Sequence, residues 1–478
     1  MKVDTNKKTY MRYNPANIDE LIGKVEESSL AEVDIAATSA KQAFINWKNK
    51  PSIERGDILR VAADLLEANM EEVAILATKE TGKVIRETRG EIGRAAAILR
   101  YYGQEGWRQI GEHLPSAFIG KTLYSSRVPI GPIAVISPWN FPIAIPIWKM
   151  APALVFGNTV VWKPSEESTL TAIKVAEILW QAGLPKDVLQ MVNGSGTTIG
   201  EALVCHKDMT AVTFTGSNQV GNQIAITAAS QQKKYQLELG GKNPAIVLAD
   251  CDLSFAAQSC IDGAMKQSGQ RCTATGIVYV EEAVYDSFKT ILKNICNELK
   301  IGNPLSEVTD IGPVVSKRQY EKVQSYIQKG LEEGAKLVCG GQPLADGYWH
   351  NGYYIQPTIF ENVKEDMTIV KEEIFGPVLC LRKVANYKEA LEAANSSKYG
   401  LSASIFTNNL HQAFHFIQHA EAGMVQVNGE TGGAEPQAPF GGMKASSSGS
   451  REQGQAAVEF FTEIKTVSIQ TFETLDYD

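Results

Sequence analysis

Cys272 stands in Ser268-Gly269-Gln270-Arg271-Cys272-Thr273, past the end of a predicted helix and inside a glycine-containing polar loop. Such a loop exposes a thiol, and positive charge on Arg271 is expected to lower its pKa, which makes Cys272 the candidate nucleophile. The other cysteines lie mostly in apolar runs; Cys205 and Cys251 are less clearly buried but have no such loop. In Leu237-Glu238-Leu239-Gly240-Gly241-Lys242 a carboxylate interrupts an apolar strand. If partly buried, Glu238 has a raised pKa and can act as a general base; otherwise it is half of a structural ion pair. In Ser137-Pro138-Trp139-Asn140-Phe141-Pro142 two prolines stiffen the backbone around Asn140. Its amide suits a preorganised oxyanion donor, or it stabilises a turn.

A second group suits a dinucleotide. In Val160-Val161-Trp162-Lys163-Pro164-Ser165-Glu166 a buried strand ends on Lys163 and Glu166. A carboxylate there can take both ribose hydroxyls, and a lysine can meet a hydroxyl or phosphate. The turn from Asn193 to Gly200 carries glycines at 194, 196 and 200 ahead of a helix, a GxGxxxG pattern one residue longer than the usual fingerprint. Phe214-Thr215-Gly216-Ser217 is a second strand–turn–helix that can approach phosphate.

These residues need a scaffold of strand ends. Apolar positions at helical spacing predict helices over 28–48, 54–79 and 87–110, so the first third reads as helical. From about 130, short β-branched runs alternate with helices: strands at 133–136, 159–162, 188–192, 211–215 and 235–239 imply βαβ units and a parallel sheet. The alternation restarts after 240, with strands at 245–248, 276–280 and 335–339, which predicts a second α/β domain. Segment 429–455, rich in Gly, Ser and Pro, reads as a long loop.

Composition removes other classes. The 478 residues are 44% hydrophobic and 21% charged, with net charge −8, which excludes a disordered chain and disfavours nucleic-acid binding. Seven scattered cysteines give neither a disulfide framework nor a metal site, so a reducing, cytoplasmic setting is expected. The uncharged stretch 128–148 is interrupted by five prolines and reads as strand, turn and short helix, so no membrane role is expected.

PWNFP, KPSE, FTGS, ELGGK, GQRCT and EEIFGP occur in the order and at about the spacing found in the aldehyde dehydrogenase superfamily. From about residue 10 to the end the chain resembles that family. The resemblance implies a Rossmann-like cofactor domain over 1–109 and 130–240, an α/β catalytic domain over 241–461, and a small β oligomerisation unit from 110–129 and 462–478. It implies oxidation of an aldehyde to a carboxylic acid through a thiohemiacetal and thioester on Cys272, with the oxyanion held by Asn140 and the backbone N–H of Cys272, and with Glu238 activating water. Lys149 matches a position near the catalytic asparagine, and Glu452 an acidic residue proposed for proton relay in some members. NAD, with NADP as the alternative, would contact Ile136, Trp139, Lys163, Ser165, Glu166, Gly196, Gly200, Gly216, Ser217, Leu239, Glu373 and Phe375. The presence of Glu238 favours release of a free acid over acyl transfer to coenzyme A. GQRCTAT and the tail from Ala445 to Gly454 look most like 2-oxoglutarate-semialdehyde (2,5-dioxopentanoate) dehydrogenases; succinate-semialdehyde and broad-specificity relatives are the alternatives. Lys266 and Trp148 fall where succinate-semialdehyde relatives often carry arginines, and Lys266 is expected to meet a distal carboxylate. A homodimer or homotetramer is implied. A non-catalytic protein on the same fold and a thiol-redox protein are the competing classes; the joint presence of Cys272, Asn140 and Glu238, and the lack of a CxxC partner, disfavour them.

Overall fold

The computed structural model describes residues 8–108, 111–342, 344 and 347–471. The outer ends of the expected cofactor unit (1–7 and 109), residue 110 of the hairpin segment and residues 472–478 of the terminal segment lie outside the described residues.

Two sheets carry the molecule. The first has six strands in the order Ser447–Ser448, Lys234–Glu238, Ala211–Thr215, Pro132–Ile136, Thr159–Lys163, Leu189–Met191. All pair in parallel except the edge at Ser447–Ser448. Its central strand, Pro132–Ile136, is buried along its whole length, as a strand covered on both faces must be. The chain leaves that strand first toward Thr159–Lys163 and later returns on its other side at Ala211–Thr215. The crevice beyond the carboxyl ends of these strands is therefore a topological switch point, where open α/β sheets bind ligands. The second sheet has seven strands, in the order 336–339, 358–361, 378–384, 275–281, 243–247, 402–406, 424–427, parallel except for the first. A third, antiparallel sheet pairs Thr462–Gln470 with Lys121–Pro129, in register from Thr462↔Pro129 to Gln470↔Lys121, and adds His113–Leu114.

Four regions depart from the sequence expectation. The first third is not wholly helical: Thr9–Asn14 and Asn17–Glu26 form an antiparallel hairpin. Its turn is set by Asn14, whose Oδ1 accepts the Ala16 N–H at 2.9 Å and so stabilises the bend locally. The helix expected over 54–79 is two helices, Ser52–Ala68 and Met70–Thr81, broken at Asn69, whose side chain donates to the Leu65 carbonyl at 2.7 Å. The 429–455 loop is a crossing. It leaves the second sheet, pairs Ser447–Ser448 against Leu237–Glu238, and from Phe440 to Phe461 packs into the core of the first unit. The Gly196–Gly200 turn is a π-helical turn, followed by the short helix Glu201–Cys205. Among the described residues no helix is long and apolar enough to cross a membrane.

Candidate active site

Between the two sheets lies a cavity of about 550 Å³. One wall is built from strand ends of the first sheet: Trp139 and Asn140 after Pro132–Ile136, Ser165 and Glu166 after Thr159–Lys163, Gly216 and Ser217 after Ala211–Thr215, and Leu239 after Lys234–Glu238. The facing wall holds Cys272, Gln319, Lys322, Glu373 and Phe375. The rings of Trp139 and Phe375 meet edge to face, 5.4 Å between centroids.

Cys272 is positioned by a strained turn. After the helix Leu253–Met265, residues Gln267, Ser268 and Gly269 all have positive φ (56°, 53° and 69°). Two of them are not glycine, and such conformations cost about 1–3 kcal/mol each and persist only where the surroundings enforce them. Ser268 Oγ donates to the Gly312 carbonyl at 2.7 Å, and the Gln267 N–H to Glu87 at 3.1 Å. A Cβ at Gly269 would lie 2.0 Å from the Gly376 carbonyl oxygen, so glycine alone permits the turn to dock on the Phe375–Gly376 loop. Asn140 is buried; its amide donates to the Gln270 carbonyl at 3.0 Å, and its own carbonyl accepts from Gln267. The proline-flanked Asn140 segment and the cysteine turn are thus tied directly together.

The expected activation of the thiol by Arg271 is corrected. Burial, with Glu373 and Glu238 nearby, pushes the Cys272 thiol up to about 12. Arg271 still acts downward but is outweighed, and its guanidinium is engaged by Glu430 at 3.1 Å and the Gly263 carbonyl at 3.2 Å. The unliganded thiol is therefore protonated at neutral pH.

Glu238 does not line the cavity. It is buried at the end of its strand, where Ser447 Oγ donates to Oε2 at 2.6 Å and Oε1 has no partner. Burial first, then the like charge of Glu452, holds its carboxyl well above the usual range. Ser447 was not singled out from sequence, because the chain crossing that delivers it is invisible to local patterns. Lys149 is also withdrawn: it is ion-paired with Glu452 and donates to Thr213 Oγ1 at 2.9 Å. Trp148 Nε1 donates to the other Glu452 oxygen at 2.6 Å.

The remaining residues separate into two sets. Ile136 and Lys163 lie at strand ends behind the wall. Lys163 Nζ donates to the Pro164 carbonyl at 3.0 Å, and burial lowers its pKa to about 8. Gly200 stacks on it: a Cβ there would meet the Lys163 side chain at 3.5 Å, while one at Gly196 would meet open space. Lys266 is not brought to the cysteine. It pairs with Asp262 at 3.1 Å and Glu430 at 3.6 Å and lines a different pocket.

The cavity fits a dinucleotide. Ser217 caps the helix Asn218–Ser230, whose N-terminal N–H groups can receive pyrophosphate. Thr215 Oγ1 is buried in the wall with no partner. Glu373 accepts the Gly241 N–H at 3.1 Å, and burial raises its carboxyl to about 7.

The sequence from 2 to 467 matches the aldehyde dehydrogenase family. An alpha-ketoglutaric semialdehyde dehydrogenase of Bacillus subtilis (strain 168) is 50% identical over 457 residues, 96% of this chain and 94% of that protein. A 2,5-dioxopentanoate dehydrogenase of Saccharolobus solfataricus is 38% identical over 461 residues, 96% and 95% of the two chains. Among solved structures, betaine aldehyde dehydrogenase from Staphylococcus aureus in complex with NAD+ superposes with a TM-score of 0.95 at 31% identity, covering 99% of this chain and 93% of that one. The chain belongs to the aldehyde dehydrogenase family.

Proposed function

We propose that this protein oxidises 2-oxoglutarate semialdehyde to 2-oxoglutarate with NAD as first cofactor and NADP as a weaker one. One observation carries the chemistry: Cys272 and Asn140 share a cavity at the switch point of a parallel sheet, with the buried carboxylate of Glu238 behind it. The two semialdehyde dehydrogenase relatives, similar along nearly the whole chain, support the substrate.

In this reading Cys272 loses its proton to solvent and its sulfur attacks the aldehyde carbon, forming a thiohemiacetal whose oxygen carries the negative charge. Asn140 Nδ2 and the Cys272 N–H hold the oxyanion, a contribution whose loss typically costs about 10²–10³-fold in rate. Bound NAD supplies a hydride acceptor. Loss of hydride leaves a thioester on Cys272. Glu238 then takes a proton from water, which adds to the thioester carbon and expels the Cys272 thiolate, releasing the acid. Glu373 takes the nicotinamide ribose, Glu166 and Ser165 the adenosine ribose, and Ser217 the pyrophosphate. The carboxylate of Glu166 repels a 2′-phosphate and so favours NAD. The first sheet serves as the cofactor unit, the second as the catalytic unit, and the third, whose outer strand exposes Ile464 and Ile469, as the contact between subunits of a homo-oligomer.

The test is NADH formation by wild type and Cys272→Ala with 2-oxoglutarate semialdehyde, succinic semialdehyde, betaine aldehyde and propanal, with both cofactors. Turnover by the wild type alone, with 2-oxoglutarate semialdehyde giving the highest kcat/KM, is expected. Activity retained in Cys272→Ala removes the mechanism, and a higher kcat/KM for propanal removes the substrate.

A further inference from the structure

Helix Ile85–Glu105 packs against helix Ala144–Val155, which follows Asn140, and the apolar core formed there also receives Cys272. The helix carries four arginines. Three have carboxylate partners: Arg86 with Asp310 at 2.9 Å, Arg89 with Glu71 and Glu307 at 2.8 and 2.6 Å, and Arg100 with Asp64 and Glu67 at 2.8 and 2.6 Å. Arg94 has none among the described residues. Its Nε and one terminal nitrogen, Nη2, are buried without a hydrogen bond. The nearest carboxylate on its own helix, Glu91, is already saturated: it is ion-paired with Lys83 at 2.5 Å and accepts the Ile143 and Ala144 N–H groups at 2.8 and 2.9 Å. The guanidinium of Arg94 lies over the Trp148 ring, 5.6 Å from its centroid. That ring is held by the Glu452 hydrogen bond and by Phe440, 5.1 Å away between centroids.

A guanidinium keeps its charge in proteins, and although Arg94 is only half-buried, leaving two of its buried N–H groups without acceptors is unfavourable. Such a group survives where a ligand completes it. Nε and Nη2 form one edge of the guanidinium fork, the edge that receives the two oxygens of a carboxylate in parallel. Among the described residues, the charge of Arg94 is acted on by Cys272 and by Glu91.

We propose that Arg94 is the specificity-determining residue that receives the distal carboxylate of the aldehyde substrate, with the Trp148 ring fixing its fork. The proposal rests on the carboxylated substrate put forward above. The aldehyde carbon meets Cys272 and the carboxylate, at the other end of the five-carbon chain, meets Arg94. A neutral aldehyde leaves the guanidinium unpaired and is disfavoured. This assigns to Arg94 the task expected of Lys266, whose charge is already spent on Asp262 and Glu430.

The test compares kcat/KM for 2-oxoglutarate semialdehyde with that for pentanal, a neutral aldehyde of equal chain length, in wild type, Arg94→Met and Arg94→Lys. The expected wild-type ratio is at least about 10², the size of one buried charged hydrogen-bonded pair. Arg94→Met brings that ratio to near one, mainly through KM for the semialdehyde, and weakens competitive inhibition of pentanal oxidation by 2-oxoglutarate. Arg94→Lys, which keeps the charge but not the fork, lowers the ratio about tenfold. If wild type prefers the semialdehyde and both variants keep that preference, Arg94 is not the anchor while the substrate stands. If wild type shows no preference, the carboxylated substrate and the anchor fall together. Should Arg94→Met not fold, an unchanged ratio in Arg94→Lys overturns the proposal by itself.

Discussion

Two glutamates flank the catalytic cleft, Glu373 in its wall and Glu238 buried behind it, and their surroundings differ. Glu373, in the loop before strand 378–384, is met by the Gly241 N–H and by the cations Lys322 and Lys242, which pull its carboxyl back to about 7 against the effect of burial. Glu238, at the end of the first sheet, has Ser447 as its hydrogen-bond donor and the cations Lys149 and Arg451 near it, but burial and the like charge of Glu452 outweigh them and its carboxyl stays well above the usual range. Burial is the main cause in both; the difference lies in what compensates it. A carboxylate ionised near neutrality suits a fixed hydrogen-bond acceptor for a ribose. One whose proton affinity is raised suits a base needed late in a reaction.

Glu238→Gln is expected to have the largest effect. Loss of a general base costs about 10²–10⁴-fold, here in steady-state kcat. Acylation needs no water, so a rapid-quench experiment is expected to retain a burst of NADH of about one equivalent per site, followed by slow turnover. Loss of the burst together with turnover would place Glu238 before the thioester instead of after it.

Lys149→Met removes the cation beside Glu452. Both side chains of that pair are almost wholly buried, so the variant leaves a carboxylate unpaired and is expected to lose about 3–5 kcal/mol of stability in chemical denaturation. A drop in activity with unchanged stability would instead give Lys149 a direct part in the chemistry.

Glu373→Gln bears on the other side. With its carboxyl at about 7, raised from an ordinary 4.5, Glu373 is half ionised at neutral pH. Its raised value means that the stability it favours is complete below about 4.5 and is lost as pH rises through about 7. Ribose binding has the opposite sign, because the ionised form is the stronger acceptor. KM for NAD in the wild type is therefore expected to fall as pH rises from 6 to 8. In Glu373→Gln it should be roughly tenfold higher and flat over that range. A pH-dependent KM in the variant would move the titration to another group.

The strand-end motifs were legible because each is local: a buried run, a turn and a polar residue within about six positions define where Asn140, Glu166, Ser217 and Glu238 stand. What sequence could not give is how distant segments alter them. Arg271 sits beside Cys272 in the chain, yet its guanidinium goes to Glu430, so adjacency overstated its effect on the thiol. Lys266 was assigned by position alone, and two carboxylates hold it elsewhere. The N-terminal hairpin was missed although its strands flank an Asn-Pro turn, because the helical periodicity that begins near residue 30 dominates the first third. Arg94 left a faint signal, a charge followed directly by Ala95-Ala96-Ala97-Ile98, which acquires meaning only when every neighbouring arginine proves to be paired.

Ser447→Ala is the mildest change. Its hydroxyl donates to Glu238 Oε2 at 2.6 Å, the one hydrogen bond that lowers the Glu238 pKa against burial and Glu452. Without it the carboxyl rises further, and Glu238 is ionised in a smaller fraction of molecules at any given pH. The rising limb of kcat against pH should move to more alkaline values, with a loss of less than about tenfold at pH 7 and recovery at higher pH. Recovery with pH separates this effect from damage to the strand pairing between Ser447–Ser448 and Leu237–Glu238, which would lower kcat equally at every pH. A profile that does not move means that Glu238 leaves Ser447 before it acts, and that the base works from a position nearer Cys272 than the one it holds in the unliganded protein.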